Sequence, residues 1–252
     1  MNNKKILYWS IVVALAGFLF GFDTVVISGA DKQLQQLWGS SDLYHGLVVM
    51  SSALWGTVIG AIFGSYPTNI LGRKKTLIII GLLFFISALG TAFATDSIIF
   101  SIFRFIGGIG IGASTIAAPT YVSEIAPAKD RGKLVALYQF NIVFGILIAF
   151  TSNFYLQDIG ENSWRWMLGI QAFPAFVYTL LVFGIPESPR WIFEYKKDRA
   201  QAISILKQIN TDAQAEEEMT AIEKETAQEV KNESIFMKKY RTPLLLAFFI
   251  AF

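Results

Sequence analysis

Apolar residues along this chain gather into long runs separated by short polar clusters. Six mostly apolar windows stand out, at about 6–28, 46–70, 76–94, 97–121, 134–155 and 166–185. Each has roughly 18 or more residues and, at ~1.5 Å per residue, is long enough to cross a ~30 Å hydrocarbon core as an α-helix. A seventh run begins near Thr242 and reaches Phe252. Between 186 and 241 the pattern turns rich in Glu, Lys, Gln and Ala. Helical patterns at 199–209 and about 212–231 suit a water-exposed position there. The pattern predicts an all-α membrane protein with a six-span bundle over 1–185. A helical linker over 186–241 and the start of another span at 242–252 follow it.

Composition alone decides little, because 54% hydrophobic residues is barely above the ~45–50% of ordinary globular domains. The absence of cysteine does exclude disulfides, thiolate metal sites and CxxC redox chemistry. The opening MNNKK and the apolar run after it have the charged head of a signal peptide. No small-residue cleavage pattern follows promptly and five more windows come after, so the segment is read as an uncleaved first span.

Charge distribution gives an orientation. Lys4 and Lys5 precede the first window, Arg73, Lys74 and Lys75 lie between the second and third, and Lys129, Arg131 and Lys133 between the fourth and fifth. Most remaining basic residues follow the sixth, whereas the opposite loops hold only Lys32 and Arg165. The positive-inside bias then predicts a cytoplasmic amino terminus for a multi-pass protein, expected in the cell (inner) membrane. Its surroundings are a lipid bilayer, and no nucleic-acid partner is expected.

Gly56, Gly60 and Gly64 recur every four residues, a small-residue face for close helix packing or for sliding. The run Gly108-Ile-Gly110-Ile-Gly112-Ala113 satisfies the letter of the dinucleotide-binding pattern. It lies inside a span and follows no strand, so the phosphate-cradling geometry is missing.

Two opposite charges interrupt the apolar windows: Asp23 in the first and Arg104 in the fourth. An ionisable group at membrane depth costs at least a few kcal/mol and persists mainly where it is paired or serves a pathway. Asp23 lies roughly 25 Å from the inner end of its window and Arg104 roughly 10 Å from the outer end of its own, at helical rise. Both therefore fall in the outer half of the bilayer and can meet if the two spans are neighbours. Such a pair is either a static strut or a site that gains and loses a proton as access alternates between the two sides.

A second group gathers at the inner ends of the spans: Arg73 with Lys74 and Lys75, Glu124, Arg131 with Lys133, then Glu187 and Arg190. Acid and base in those places can form a latch, provided its members are networked and partly shielded. Positive-inside charge explains the lysines but neither Glu124 nor Glu187. For a ligand, the fifth window offers Gln139 and Asn141, and the first offers Phe20 and Phe22. His45 reads as a loop residue. No Ser-His-Asp arrangement and no metal-ligand spacing appears, which argues against an enzyme.

The strings GFDTVVISG (21–29), GRKK (72–75), RFIGGIGIG (104–112), YVSEIAPAKDRGKL (121–134) and PESPRW (186–191) together resemble the sugar-porter branch of the major facilitator superfamily. The resemblance covers the whole chain in order and spacing. It implies the six-helix amino-terminal half of a twelve-helix transporter, built as two inverted three-helix repeats at about 6–94 and 97–185. It also implies a short cytoplasmic helical domain and the start of helix seven. In proton-coupled bacterial members the acid matching Asp23 pairs with the arginine matching Arg104, and Gln139 and Phe20 match sugar contacts. Arg73, Glu124, Arg131, Glu187 and Arg190 match an inner salt-bridge network. Asn69 stands where the wider superfamily often has Asp, and Ile146 where some members have a second glutamine.

The expectation is therefore proton-coupled uptake of a monosaccharide by alternating access, with no cofactor beyond the proton gradient. The partners are sugar, protons and a missing carboxy-terminal half or a complementary chain. The alternatives are a facilitative sugar uniporter and a non-transporting sensor or half-transporter partner.

Overall fold

The computed structural model describes residues 3–127, 129–228 and 242 of the chain. Among these residues six helices are long and apolar enough to cross a membrane. We label them α1 (Asn3–Trp38), α2 (Asp42–Phe63), α3 (Arg73–Ala92), α4 (Ser97–Ile125), α5 (Arg131–Leu156) and α6 (Ser163–Phe183). Two shorter helices, α7 (Arg199–Leu206) and α8 (Asp212–Gln228), follow. The remainder of the expected second linker helix and the expected seventh span lie outside the described residues, apart from Thr242.

The helix ends follow local chemistry. Asp96 caps α4, its Oδ1 accepting the Ile98 and Ile99 amides at 2.9 and 3.0 Å, so two orphan donors of the first turn are satisfied. α2 opens through a wide π turn at His45–Met50 and is followed by a short helix, Ser65–Ile70. The chain then reverses at Gly72, whose φ of 97° lies where a side chain is strained.

α1 runs ten residues beyond its apolar window. Its last turns are amphipathic: Ala30 and Leu34 are buried beside Val49 and Trp164, while Lys32 and Gln36 face out. A window scored on apolar content stops where polar residues enter, although one face stays hydrophobic. α6 is interrupted by a turn at Ile170 and Gln171.

α1 packs most extensively on α5, α2 on α4, and α3 on both α4 and α6. Glycines make the first two crossings close. A Cβ at Gly56 or Gly60 would strike the carbonyls of Phe105 and Ile109, and one at Gly108 that of Ala53. On the other crossing, Gly21 faces the Ile142 carbonyl and Gly145 that of Phe18. The bundle core falls into a cluster around Trp9, Leu19, Phe84 and Tyr178 and another around Phe22, Phe100 and Trp164. A separate small core of Trp191, Ile192, Leu206 and Met219 joins α7 and α8 to the segment before them. Large apolar side chains also point outward, such as Leu54 and Phe63 on α2 and Phe140, Leu147 and Phe154 on α5. Apolar surface of that extent marks a membrane-facing or partner-facing protein.

Candidate functional site

α1 and α4 bring Asp23 and Arg104 together across 81 positions of sequence. Arg104 donates from Nη1 to Asp23 Oδ1 at 2.9 Å and from Nη2 to the Asp23 backbone carbonyl at 3.1 Å. Both side chains are almost wholly enclosed, 1% exposed for Asp23 and 3% for Arg104. Small neighbours make the room: Gly107 lies one turn from Arg104, and a Cβ there would strike Ser87 Oγ of α3.

The pair is not fully satisfied. Among the described residues Asp23 Oδ2, Arg104 Nε and Ser87 Oγ have no hydrogen-bond partner. Buried polar atoms nearly always find partners, so three unpartnered atoms at one ion pair set it apart from the packed core around it.

Sequence reasoning missed Gln171. It sits at the break in α6, is 1% exposed, donates to the Leu19 carbonyl at 3.4 Å and acts on the Asp23 carboxylate. A polar amide between apolar runs was the available signal. The backbone turn that aims it at α1 is invisible in the sequence.

At the far end of α3 and α4, Arg73 and Glu124 form a second enclosed pair, 7% and 8% exposed. Arg73 Nη2 donates to Glu124 Oε1 at 2.8 Å, Nε donates to both carboxylate oxygens, and Nη1 reaches the Thr68 carbonyl at 3.3 Å. Glu187 does not share this arginine's fork. Its Oε1 accepts the backbone amides of Lys74 and Ser188 at 3.0 and 2.8 Å, and its carboxylate lies against Gly72. Burial pushes the Glu187 carboxyl above its ordinary value of 4.5, against the pull of those amides and of the Arg73 charge. Tyr121 Oη donates to the Pro186 carbonyl at 2.9 Å, and the Trp191 indole donates to the Asn69 carbonyl. These bonds fasten the ends of α2, α3 and α4 to the segment after α6.

The structure separates the remaining members of the expected inner cluster. Arg190 turns toward the small domain, donating to Glu194 at 2.7 Å and to Glu225 of α8 at 2.9 Å. Arg131 is exposed at the start of α5, where its charge acts on Glu218 of α8. Gln139 is exposed on α5, and among the described residues its side chain makes no hydrogen bond; Phe20 is half-buried against the core. Neither is bonded to the Asp23–Arg104 pair.

His45, expected in a loop, is buried. Its Nε2 lies 2.8 Å from Asp31 Oδ1 and its Nδ1 3.2 Å from Ser40 Oγ. A Ser, His and Asp thus do meet, contrary to the sequence reading, because the α1–α2 hairpin folds residue 45 back onto residue 31. The three tie the end of α1 to the first turn of α2.

Comparison with known proteins agrees with this architecture. Residues 9–252 match the family model described as "Sugar (and other) transporter", and the chain belongs to that family. Its members are transporters, not enzymes. The D-xylose-proton symporter of Escherichia coli is 35% identical over 240 residues, covering 82% of this chain and 48% of that protein. The glucose transport protein of Synechocystis sp. is 42% identical over 203 residues, covering 76% of this chain and 43% of that protein. The solved proton:xylose symporter XylE, bound to 6-bromo-6-deoxy-D-glucose, superposes with a TM-score of 0.86 at 32% identity. That match covers 90% of this chain and 54% of the other. The fold is the amino-terminal half of a major facilitator superfamily transporter, and the chain spans about half the length of the curated relatives it matches.

Proposed function

We propose that this chain is the proton-binding half of a proton-coupled monosaccharide transporter that works by alternating access. The observation that carries the reading is Asp23, an enclosed carboxylate with one oxygen held by Arg104 and the other making no hydrogen bond among the described residues, beside the Gln171 amide. A proton taken onto Oδ2 neutralises the carboxylate, weakens its hold on Arg104 and makes a second arrangement of α1 against α4 accessible. Loss of the proton to the opposite side restores the pair. The curated Escherichia coli relative and the solved structure named above are both described as a xylose–proton symporter, in keeping with sugar as the co-transported species.

Within this reading the amino terminus is cytoplasmic, and Arg73, Glu124 and Glu187 hold the inner mouth closed. Arg131 and Arg190 couple that mouth to α8. Gln139 and Phe20 supply sugar contacts from the exposed side of the bundle, where a carboxy-terminal half covers the apolar faces of α2 and α5. The inverted repeats relate the α1–α5 crossing to the α4–α2 crossing, and glycine-mediated close approach at both supports the relation.

The test is uptake of radiolabelled xylose or glucose into vesicles holding this chain together with a sugar-transporter carboxy-terminal half. Accumulation above the outside concentration under an inward proton gradient is expected. Equilibration without accumulation would establish a uniporter instead.

A further inference from the structure

At the end of the bundle opposite Arg73 and Glu124, the last turn of α3 and the first half of α6 enclose an apolar groove of about 510 Å³. Leu89, Phe93, Ile170 and Phe173 line it, with Trp166 at its rim, and Phe93, Trp166 and Phe173 are strongly exposed. Arg165 stands at one end. Its Nη1 donates to the Ala92 carbonyl at 2.6 Å, and its guanidinium lies 4.2 Å from the centre of the Trp164 ring. These two contacts fix the guanidinium plane, yet among the described residues no carboxylate pairs with it.

The level of this site along the bundle is defined independently. Tyr155 and Trp166, both exposed, lie at the same helix ends, and exposed aromatics of this kind sit at the lipid headgroups. Arg165 is thus a positioned cation at headgroup depth, with an apolar groove running from it toward the hydrocarbon.

We propose that this groove is a binding site for an anionic phospholipid. The lipid phosphodiester accepts hydrogen bonds from the guanidinium N–H groups that Ala92 leaves free, and one acyl chain lies between α3 and α6. Arginine suits the role because its planar fork matches phosphate oxygens. A net negative headgroup is favoured over a zwitterionic one because the latter sets a second cation beside the guanidinium. Bound there, the lipid staples the end of α3 to the broken helix that carries Gln171.

The experiment is lipid binding to the purified, delipidated chain in detergent, read by native mass spectrometry and by thermal unfolding. Phosphatidylglycerol is compared with phosphatidylcholine. The proteins are the wild type, Arg165→Gln, Leu89→Trp (which fills the groove and keeps the cation) and Lys32→Gln, an exposed cation at the same end. Wild type and Lys32→Gln are expected to prefer phosphatidylglycerol and to unfold at higher temperature with it. A hydrogen bond to a charged group is worth enough that Arg165→Gln should weaken that binding by about tenfold, and Leu89→Trp should abolish the thermal shift. Equal binding of the two lipids by the wild type, or a preference that survives in both Arg165→Gln and Leu89→Trp, would overturn the proposal.

Discussion

Arg104 holds Asp23 twice, through the carboxylate at 2.9 Å and through the backbone carbonyl at 3.1 Å, and still leaves one carboxylate oxygen making no hydrogen bond among the described residues. The second bond ties the arginine to the α1 backbone itself. Protonation of the carboxylate therefore removes the charge attraction without releasing the arginine completely. The pair is then held by the carbonyl bond, a weaker tie across which α1 and α4 can rearrange.

The energetic signature of such a pair is asymmetric. Removing one partner strands the other as an enclosed charge, which costs about 3–5 kcal/mol, whereas replacing both by apolar groups is often neutral. Asp23→Leu and Arg104→Leu should each lower stability by that order in detergent unfolding, and the double variant should recover most of the loss. Additive losses would show that the two residues stabilise the bundle independently.

Glu187 predicts a pH dependence whose sign follows from its raised carboxyl. Below its ordinary value of 4.5 folded and unfolded chains both hold the proton. Between 4.5 and the raised folded value, the folded chain keeps a proton that the unfolded chain has lost. Stability from this group therefore falls as pH rises through that window and levels off above it. Glu187→Gln keeps an oxygen for the Lys74 and Ser188 amides and should flatten that slope. Thermal unfolding between pH 4 and pH 8 reads the difference, which should close at the acid end.

How much of this was legible beforehand varies by feature. Lipid solvation demands long apolar runs, so all six spans showed in the sequence, and Asp23 and Arg104 stood out because each breaks a run at matching depth. The inner cluster was legible as a set but not as a network. Arg190 and Arg131 turn to α8, a choice made by the docking of a water-exposed helix that no apolar pattern encodes. Gln171 and His45 were missed for a shared reason: a helix break aims the first and a hairpin folds back the second, and each is a tertiary event.

The Arg73–Glu124 pair predicts an access change. Glu124→Gln removes the charge that holds Arg73 across α3 and α4, and should open this end of the bundle. The chain has no cysteine, so a single Thr68→Cys, buried in the wild type and next to the Arg73 contact, reports directly. Its maleimide labelling should accelerate in the Glu124→Gln background. An unchanged rate would mean the pair does not hold this end closed.

The α2–α4 crossing tolerates no added side chain. Gly60→Ala or Gly108→Ala places a methyl against a backbone carbonyl, and overpacking of this kind typically costs about 1–3 kcal/mol. Gly46→Ala, which opens onto free space, should cost far less in the same unfolding assay.

The most direct test of the account is Asp23→Asn in vesicles that hold this chain with a carboxy-terminal half. Asparagine keeps the oxygen that Arg104 binds but cannot exchange a proton. Accumulation of labelled sugar under an inward proton gradient should disappear, while exchange of labelled for unlabelled sugar across the membrane continues. Gradient-driven accumulation at the wild-type level in Asp23→Asn would contradict the assignment of this pair as the proton-coupling site.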